Sequence, residues 1–355
     1  MSQFLRKLLS VTFLTLSISA FGAAAQPTVI RIAAPDQGAG SLPFPGGSPI
    51  AIVYTNKLLE EEFKRDGIEV QWTLFKGAGP AINEAFANRQ IDFAYLGDLA
   101  AVIGRAGGLP THLIAGANRG TNTYLAVPPG STIKHFSDLK DKRIAVFRGT
   151  ADQLAFDRAP NEHGLTERDL RVINLDWSSA RAALAAGQID GTWSGSGLIA
   201  LRTRGIAEIA LSTRGGSLDA TVQAGLVGAD AFTAAYPEIT TRLVKVFVKA
   251  AEWASQENNR QAFIDLLHKQ SNIPADVFAG EYGDSDLKFR LSPRIDDFLV
   301  GRLSASVAEA KNDKLIRDSF DVNAWVDRRY VDQAVAQLGL QQFWPTFDAA
   351  GHAVR

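Results

Sequence analysis

The sequence has 355 residues, 46% of them hydrophobic and 21% charged, the balance of an ordinary globular chain long enough for one large or two medium domains with proper cores. A formal net charge of −1 and the lack of any strongly basic stretch argue against a phosphate-backbone partner such as nucleic acid. There is no cysteine, which rules out disulfides, thiolate metal sites and a cysteine nucleophile.

The first 25 residues form a segment of their own. Arg6 and Lys7 precede an apolar run, LLSVTFLTLSISAFG, and Ala23-Ala24-Ala25 closes it. A charged start, a short apolar stretch and a small-residue cleavage site are the layout of a secretion signal. Residues 1–25 are therefore expected to be a signal peptide cleaved after Ala25, leaving Gln26 first. The competing reading is an uncleaved membrane anchor, for which the run is short and salted with Ser and Thr. With no Cys at the cleavage point to carry a lipid, the expected product is a free periplasmic protein.

Val29 to Ala33 (VIRIA) reads as a first β-strand. The loop from Asp36 to Ser48, DQGAGSLPFPGGS, is long for a strand–helix connection; it is either a ligand-contacting loop or a surface loop. Ile50 to Phe63 reads as one amphipathic helix, and residues 68–74 as a strand. The stretch Lys76 to Gly108 follows. Gly77 and Gly79 allow a tight backbone path, Pro80 suits the first turn of a helix over residues 81–88, and Ile91 to Leu96 is a short strand. Gly97-Asp98 opens a second helix with Asp98 as N-cap. Both helix starts follow a glycine, and their free N–H groups and dipole suit an anion; ordinary glycine loops of an α/β domain would look the same. Thr111 to Ala117 is a further strand, and Thr123 to Val127 one that crosses to a second lobe. Arg143 to Phe147 is a buried parallel strand. Arg148-Gly149-Thr150 opens a helix over residues 151–158, with Thr150 as N-cap. Arg148 is either solvated or placed to pair with an oxyanion.

A second copy of one unit then appears. Residues 183–195 (ALAAGQIDGTWSG) repeat residues 85–97 (AFANRQIDFAYLG) without a gap. Ala85/Ala183, Ala87/Ala185, Gln90/Gln188, Ile91/Ile189, Asp92/Asp190 and Gly97/Gly195 are identical, and Tyr95 falls opposite Trp193. Upstream, strand 171–175 and loop 176–179 match strand 68–74 and loop 76–80, with Ser178 or Ser179 capping a helix that starts at Ala180. The copies lie roughly a hundred residues apart, far too long a period for a solenoid. They read as two related α/β lobes whose loops line one cleft. Ile206 to Leu211 is a strand, Arg214-Gly215-Gly216 marks a return crossing, and Ala224 to Val227 rejoins the first lobe. From Pro237 on the pattern is helical (Thr240 to Trp253, Gln261 to His268, Pro274 to Phe278, Arg294 to Ala310, Val331 to Leu338), a tail expected to cover the first lobe. The expected lobes are 26–122 with 216–355, and 123–215, joined by crossings near 120–128 and 212–223 that act as a hinge.

Catalytic and cofactor motifs fail. After Gly77-Ala78-Gly79 and after Gly38-Ala39-Gly40, Ile82 and Pro43 stand where the third glycine of a dinucleotide fingerprint belongs. There is no phosphate-binding G-x-x-x-x-G-K-[ST], and no G-x-S-x-G around Ser194 or Ser196. His112, His135, His163, His268 and His352 lack metal-ligand spacing. Nothing assembles a nucleophile, a base and an oxyanion hole, so no cofactor, metal or catalysis is expected.

The segments VIRIA, KGAGPAINEAFANRQIDFAYLGDLAAVIGRAGG, FSDLKDKRIAVFRGTA, SSARAALAAGQIDGTW and YPEITTRLVKVFVKAAEWASQENN together resemble the periplasmic substrate-binding proteins of ABC importers for aliphatic sulfonates, taurine and nitrate. The resemblance covers most of the chain. It implies a two-lobed, class II α/β fold, with mixed sheets joined by two crossing strands, that closes over an anion. By position it implies ligand contacts at Gly79-Pro80, Gly97-Asp98, Gly149-Thr150 and Trp193-Ser194, and in the first-strand loop at Gly38, Gly40 and Ser41. Relatives usually carry an acid after the second-lobe Trp; Ser194 stands there, which takes a charge out of the expected cleft.

The expected ligand is a small organic anion, a sulfonate or sulfate ester. Its head would sit at the helix starts near Gly79, Gly97 and Thr150, with Arg119 and Arg148 as counter-charges, and Tyr95, Trp193, Phe44 and Tyr124 would wall in the tail. The expected partner is a membrane permease with its ATPase, and the receptor is expected to be a monomer. Nitrate, bicarbonate, taurine or a vitamin precursor are the alternatives, though a purely inorganic anion has no need of the aromatic set. An enzyme related to pyrimidine synthases would need a cysteine-rich metal motif, and a sensor subunit for a membrane kinase is a third reading.

Overall fold

The structure is a computed structural model that describes residues 26–38, 42–161 and 163–354; the expected signal segment 1–25 lies outside it. The chain builds β1 (Val29–Pro35), β2 (Glu69–Phe75), β3 (Phe93–Gly97) and β4 (Thr111–Thr121), then β5 (Tyr124–Val127), β6 (Arg143–Val146), β7 (Arg171–Asn174), β8 (Gly191–Ser194) and β9 (Glu208–Ser212), and lastly β10 (Val222–Ala229). They form two five-stranded sheets, in the orders β2-β1-β3-β10-β4 and β7-β6-β8-β5-β9. In each sheet three strands run parallel (β2-β1-β3; β7-β6-β8) and the fourth is antiparallel to both neighbours. That fourth strand, β10 in one sheet and β5 in the other, is in each case the one that arrives from the opposite sheet. The two lobes thus share one topology, and the chain passes between them at residues 122–123 and 213–221.

The repeat seen in the sequence has a physical counterpart. Asp92 receives the backbone N–H of Arg31 at 2.9 Å and its guanidinium at 3.0 and 2.6 Å. Asp190 receives the same three groups of Arg143 at 2.8, 3.1 and 2.9 Å. The repeated Q-I-D thus ties the start of the third parallel strand to the central one in both lobes. Just before it, each copy turns through a left-handed residue, Arg89 (φ 54°) in the first and Gly187 (φ 68°) in the second.

The first-lobe helices are α1 (Pro49–Thr55), α2 (Leu58–Phe63), α3 (Ala78–Ala87) and α4 (Asp98–Ala106); the second lobe holds α5 (Ala151–Asn161), α6 (Trp177–Ala185) and α7 (Ile199–Thr203). The single helix expected over residues 50–63 is two, because Lys57 adopts a left-handed conformation (φ 52°) that an α-helix cannot continue through. After β10 come α8 (Asp230–Ala235), α9 (Pro237–Ser255), α10 (Arg260–Ser271), α11 (Ala275–Tyr282), α12 (Leu287–Arg290), α13 (Asp297–Asn312), α14 (Val322–Trp325) and α15 (Arg329–Gln337). Most of them pack on the first sheet, in one large core that runs from Ile30 to Trp344. The second sheet has a smaller apolar cluster on each face, one around Trp193 and Phe156, the other around Leu184 and Leu201.

Candidate functional site

The carboxyl ends of the parallel strands in both sheets open on one cavity between the lobes, the position where α/β sheets bind ligands. Its main space runs into a smaller pocket; the two share Gln37, Tyr95, Asp152, Trp177, Val222 and Ala224 as walls. Gly79, Gly97 and Thr150 line the smaller pocket, so the starts of α3, α4 and α5 converge there. Gly77 and Gly97, ahead of α3 and α4, make no side-chain cap bond; the Leu99 N–H is taken by Asp98 Oδ1 at 2.9 Å, and the other N–H groups of the two first turns are open to another acceptor. Backbone shape reinforces the geometry: α3 begins with Ala78 at φ 46°, a left-handed conformation uncommon for alanine.

Glycines let the lobes meet. A Cβ on Gly97 would stand 2.7 Å from the Cβ of Ala151 across the cleft, and one on Gly79 would stand 3.1 Å from the Gly149 carbonyl oxygen. Gly149 itself is left-handed (φ 75°), and a Cβ there would reach within 2.9 Å of Pro80 Cγ. Arg181 on α6 donates to the Gly38 carbonyl at 3.2 Å, and Arg158 on α5 reaches Asp98 on α4. The lobes are therefore in contact, as in a closed cleft.

Aromatic and polar walls complete the main space. Phe44 is placed by its loop: its N–H donates to Asp36 Oδ1 at 3.1 Å, and its carbonyl accepts from Gln37 at 2.7 Å. It meets Phe278 edge-on at 6.3 Å. The Tyr282 hydroxyl donates to the Gly47 carbonyl. Among the described residues three charged side chains line the cavity: Asp152, Arg181 and Glu281. Asp152 Oδ2 accepts from Trp177 Nε1 at 2.7 Å and Ser194 Oγ at 3.0 Å; burial pushes its carboxyl above the usual range, and those two donors oppose the shift. Burial also pushes Glu281 up, against the pull of Arg290, and lowers Arg181.

A family model described as NMT1/THI5 like matches residues 62–260, more than half of the chain. The chain belongs to that family. A protein named for binding aliphatic sulfonates, from Bacillus subtilis (strain 168), is 26% identical over 292 residues, 82% of this chain and 86% of its own. The solved structure of a periplasmic sulfonate-binding protein, SsuA of a sulfonate ABC transporter from Methylobacillus flagellatus KT, is 31% identical with a TM-score of 0.75, covering 91% of this chain and 98% of that one. The alkanesulfonate-binding protein SsuA from Xanthomonas axonopodis pv. citri, solved with MOPS, has a TM-score of 0.71 at 23% identity, with 86% and 100% covered. The fold is thus the two-lobed one of periplasmic binding proteins.

In this NMT1/THI5-like chain several expected site residues fall elsewhere. Trp193 is 1% exposed and packs against Phe156 at 5.6 Å in the second-lobe core. Neighbours on a strand point to opposite faces, so Trp193 cannot share the cleft with Thr192 and Ser194, which line it. Arg119 fails for the same reason: Asn118 lines the cavity, while Arg119 is fully buried with Asp296 at 2.8 Å. Tyr124 is buried in the core, and its neighbour Thr123 lines the cavity instead.

Asp98 is the first helical residue, not the cap; Gly97 holds that position. Its carboxylate is spent on Leu99 N at 2.9 Å and Ser306 Oγ at 3.1 Å. Thr150 does not cap α5 with its hydroxyl, which donates to the Phe147 carbonyl at 2.7 Å. Asp176, not a serine, caps α6, accepting from Ser178 N and Ser179 N. Gly38 gives its N–H to Asp36 Oδ1 at 3.0 Å, and Arg148 and Pro80 lie outside the cavity walls; the Arg148 N–H donates to Asn174 Oδ1 at 3.0 Å. Gly40 and Ser41 lie outside the described residues. Gly79, Gly97, Thr150, Tyr95, Phe44 and Ser194 do come together around the cavity.

Sequence reasoning missed Trp177, Asp152 and α11. Trp177 carried a signal, since its loop matches loop 76–80 in the repeat. Asp152 brings a carboxyl into the cleft from α5 and accepts from Ser194 Oγ, the residue that stands where an acid was expected. Phe278, Glu281 and Tyr282 sit in a tail read as mere cover, and nothing in their spacing marked them.

Proposed function

We propose that the protein is the solute-binding component of an ABC importer. It works in the periplasm, captures a small organic anion, a sulfonate or sulfate ester, between its lobes, and presents it to a membrane permease with its ATPase. The convergence of the α3, α4 and α5 starts on one aromatic-walled cavity carries this reading: helix N-termini hold an oxyanion, and Phe44, Tyr95, Trp177 and Phe278 offer an organic tail apolar surface. Sulfonate-binding relatives support it. Aromatic walls speak against nitrate or bicarbonate, which have no tail to bury. The protein binds and releases its ligand unchanged.

Charge-assisted hydrogen bonds contribute about 1.5–3 kcal/mol each, so three or four suffice for micromolar affinity, about −8 kcal/mol, after ordering costs. Calorimetric titration with alkyl- and arylsulfonates is expected to give micromolar Kd values; a folded protein that binds none of them sinks the reading. Trp177→Ala is expected to weaken binding at least tenfold, and an unchanged Kd would displace the tail from that wall.

The lobes comprise residues 26–122 with 216–355, and 123–215, a division supported by the change of sheet between Thr121 and Tyr124 and between Ser212 and Val222. Export removes residues 1–25 after Ala25, and the receptor acts as a monomer. Intact mass of protein recovered from the periplasm, and its mass in solution, check both points.

A further inference from the structure

A carboxyl group in an anion cleft needs an explanation. Asp152 lies in the first turn of α5, two residues after Thr150, and lines both the main cavity and the pocket where the three helix starts meet. It is 9% exposed. Both of its hydrogen bonds, from Trp177 Nε1 and Ser194 Oγ, land on Oδ2; among the described residues Oδ1 takes none. No cation compensates it: among the described residues none forms an ion pair with this carboxylate. Ionised, the group would repel any oxyanion brought beside it, with little solvent to screen the repulsion.

The dipole at the start of α5 favours an anion, but no charged side chain among the described residues adds to it at Asp152. Of the titratable groups in the cavity walls, Arg181 is engaged with the Gly38 carbonyl and lies near Asp36 and Asp176. Glu281 faces Arg290 at 3.7 Å, and Tyr95 and Tyr282 are buried phenols held neutral. Asp176 caps α6 beside Trp177 and is bonded to Ser178 and Ser179. The other elements packed on α5 spend their charges elsewhere. Asp98 of α4 and Glu309 of α13 meet Arg158, Asp219 meets Arg302, and Arg143 of β6 meets Asp190.

Resting on the sulfonate reading above, we propose that Asp152 is protonated in the loaded cleft and donates its O–H from Oδ1 to the bound oxyanion, so that capture of the ligand takes up one proton. Trp177 and Ser194 hold Oδ2 as the acceptor oxygen and so turn Oδ1 into the protonated one. A carboxylic acid donates well to an oxyanion, and a burial-raised carboxyl is the one most readily protonated near neutrality. Asp152 is then a specificity residue: it admits a ligand with an acceptor at that point and couples its affinity to pH.

The test is isothermal titration calorimetry of the full mature protein with ethanesulfonate, whose own charge is constant from pH 5 to pH 8, in two buffers of different ionisation enthalpy. At pH 7.5 the wild type is expected to take up close to one proton per ligand, and its affinity to fall about tenfold per pH unit on the alkaline side. Asp152→Asn, whose amide can accept from Trp177 and Ser194 and donate to the ligand, is expected to take up none, to show a flat affinity from pH 5 to pH 8, and to bind more tightly than wild type at pH 8. Sulfonate binding without proton uptake, or equal uptake by wild type and Asp152→Asn, overturns this inference alone. Absence of sulfonate binding at every pH overturns the receptor reading and this inference with it.

Discussion

At the scale of the residue, two tryptophans separate fold from ligand. Trp193 fills the core of the second lobe between Phe136 and Phe156, while Trp177 lines the cleft and holds Asp152. Truncating a buried Trp removes its transfer energy and leaves a cavity, about 3–5 kcal/mol. Trp193→Ala is therefore expected to lower the urea midpoint strongly yet to change Kd for a sulfonate, in native buffer, less than Trp177→Ala does. The reverse ranking would mean that the strand faces are misassigned. Arg119 makes the same point with charge. Asp296, its partner, also accepts from Leu299 N and Phe347 N, so Arg119→Ala strands a buried carboxylate. The expected loss is about 3–5 kcal/mol of stability, read by denaturation, and not a loss of ligand affinity in the protein that remains folded.

At the scale of the element, the sequence named helix starts better than side-chain directions. Gly79, Gly97 and Thr150 were legible because a glycine or hydroxyl residue between strand and helix is local chemistry. The face of a strand residue is not local: it depends on the register, and a one-residue error turns every side chain over. That single effect misplaced Trp193, Arg119 and Tyr124. Tight contact between elements yields a prediction of its own. Gly97 ends β3 with Ala151 against it from the other lobe, and an added Cβ would lie at 2.7 Å, closer than such carbons approach. Gly97→Val is expected to hold the lobes apart. Its Kd for a sulfonate should rise at least tenfold, while small-angle scattering of the ligand-saturated variant keeps the larger radius of the open form. Full compaction of the variant would show that the contact yields.

At the scale of the whole molecule, the duplication was readable because both copies keep the Asp that ties two strands together, Asp92 to Arg31 and Asp190 to Arg143. The contribution of α11 to the cleft was not, because a helix far along the chain declares its neighbours only once the first lobe is assembled. The lobes are also joined by buried charge. Asp98 of α4 receives Ser306 Oγ of α13 at 3.1 Å and lies 3.8 Å from Arg158 of α5, which in turn meets Glu309 at 2.5 Å and Ser306 at 2.9 Å. Burial outweighs the pull of Arg158 and lifts the Asp98 carboxyl to about 6, from 3.8 in the unfolded chain. A folded state that holds a proton more tightly than the unfolded one is favoured in acid. The contribution of Asp98 is thus fully present below about pH 3.8 and is lost as pH rises through about 6, a swing on the order of 3 kcal/mol. Asp98→Asn keeps the shape and cannot ionise. Its stability relative to wild type, from urea denaturation, is therefore expected to be higher at pH 7 than at pH 4 by on the order of 1–3 kcal/mol. Because the comparison is between two chains that differ at one residue, the surface carboxylates with lowered values, such as Asp138 and Asp348, cancel from it. A difference that stays constant between the two pH values would mean that Asp98 keeps an ordinary carboxylate pKa and that Arg158 fully offsets its burial.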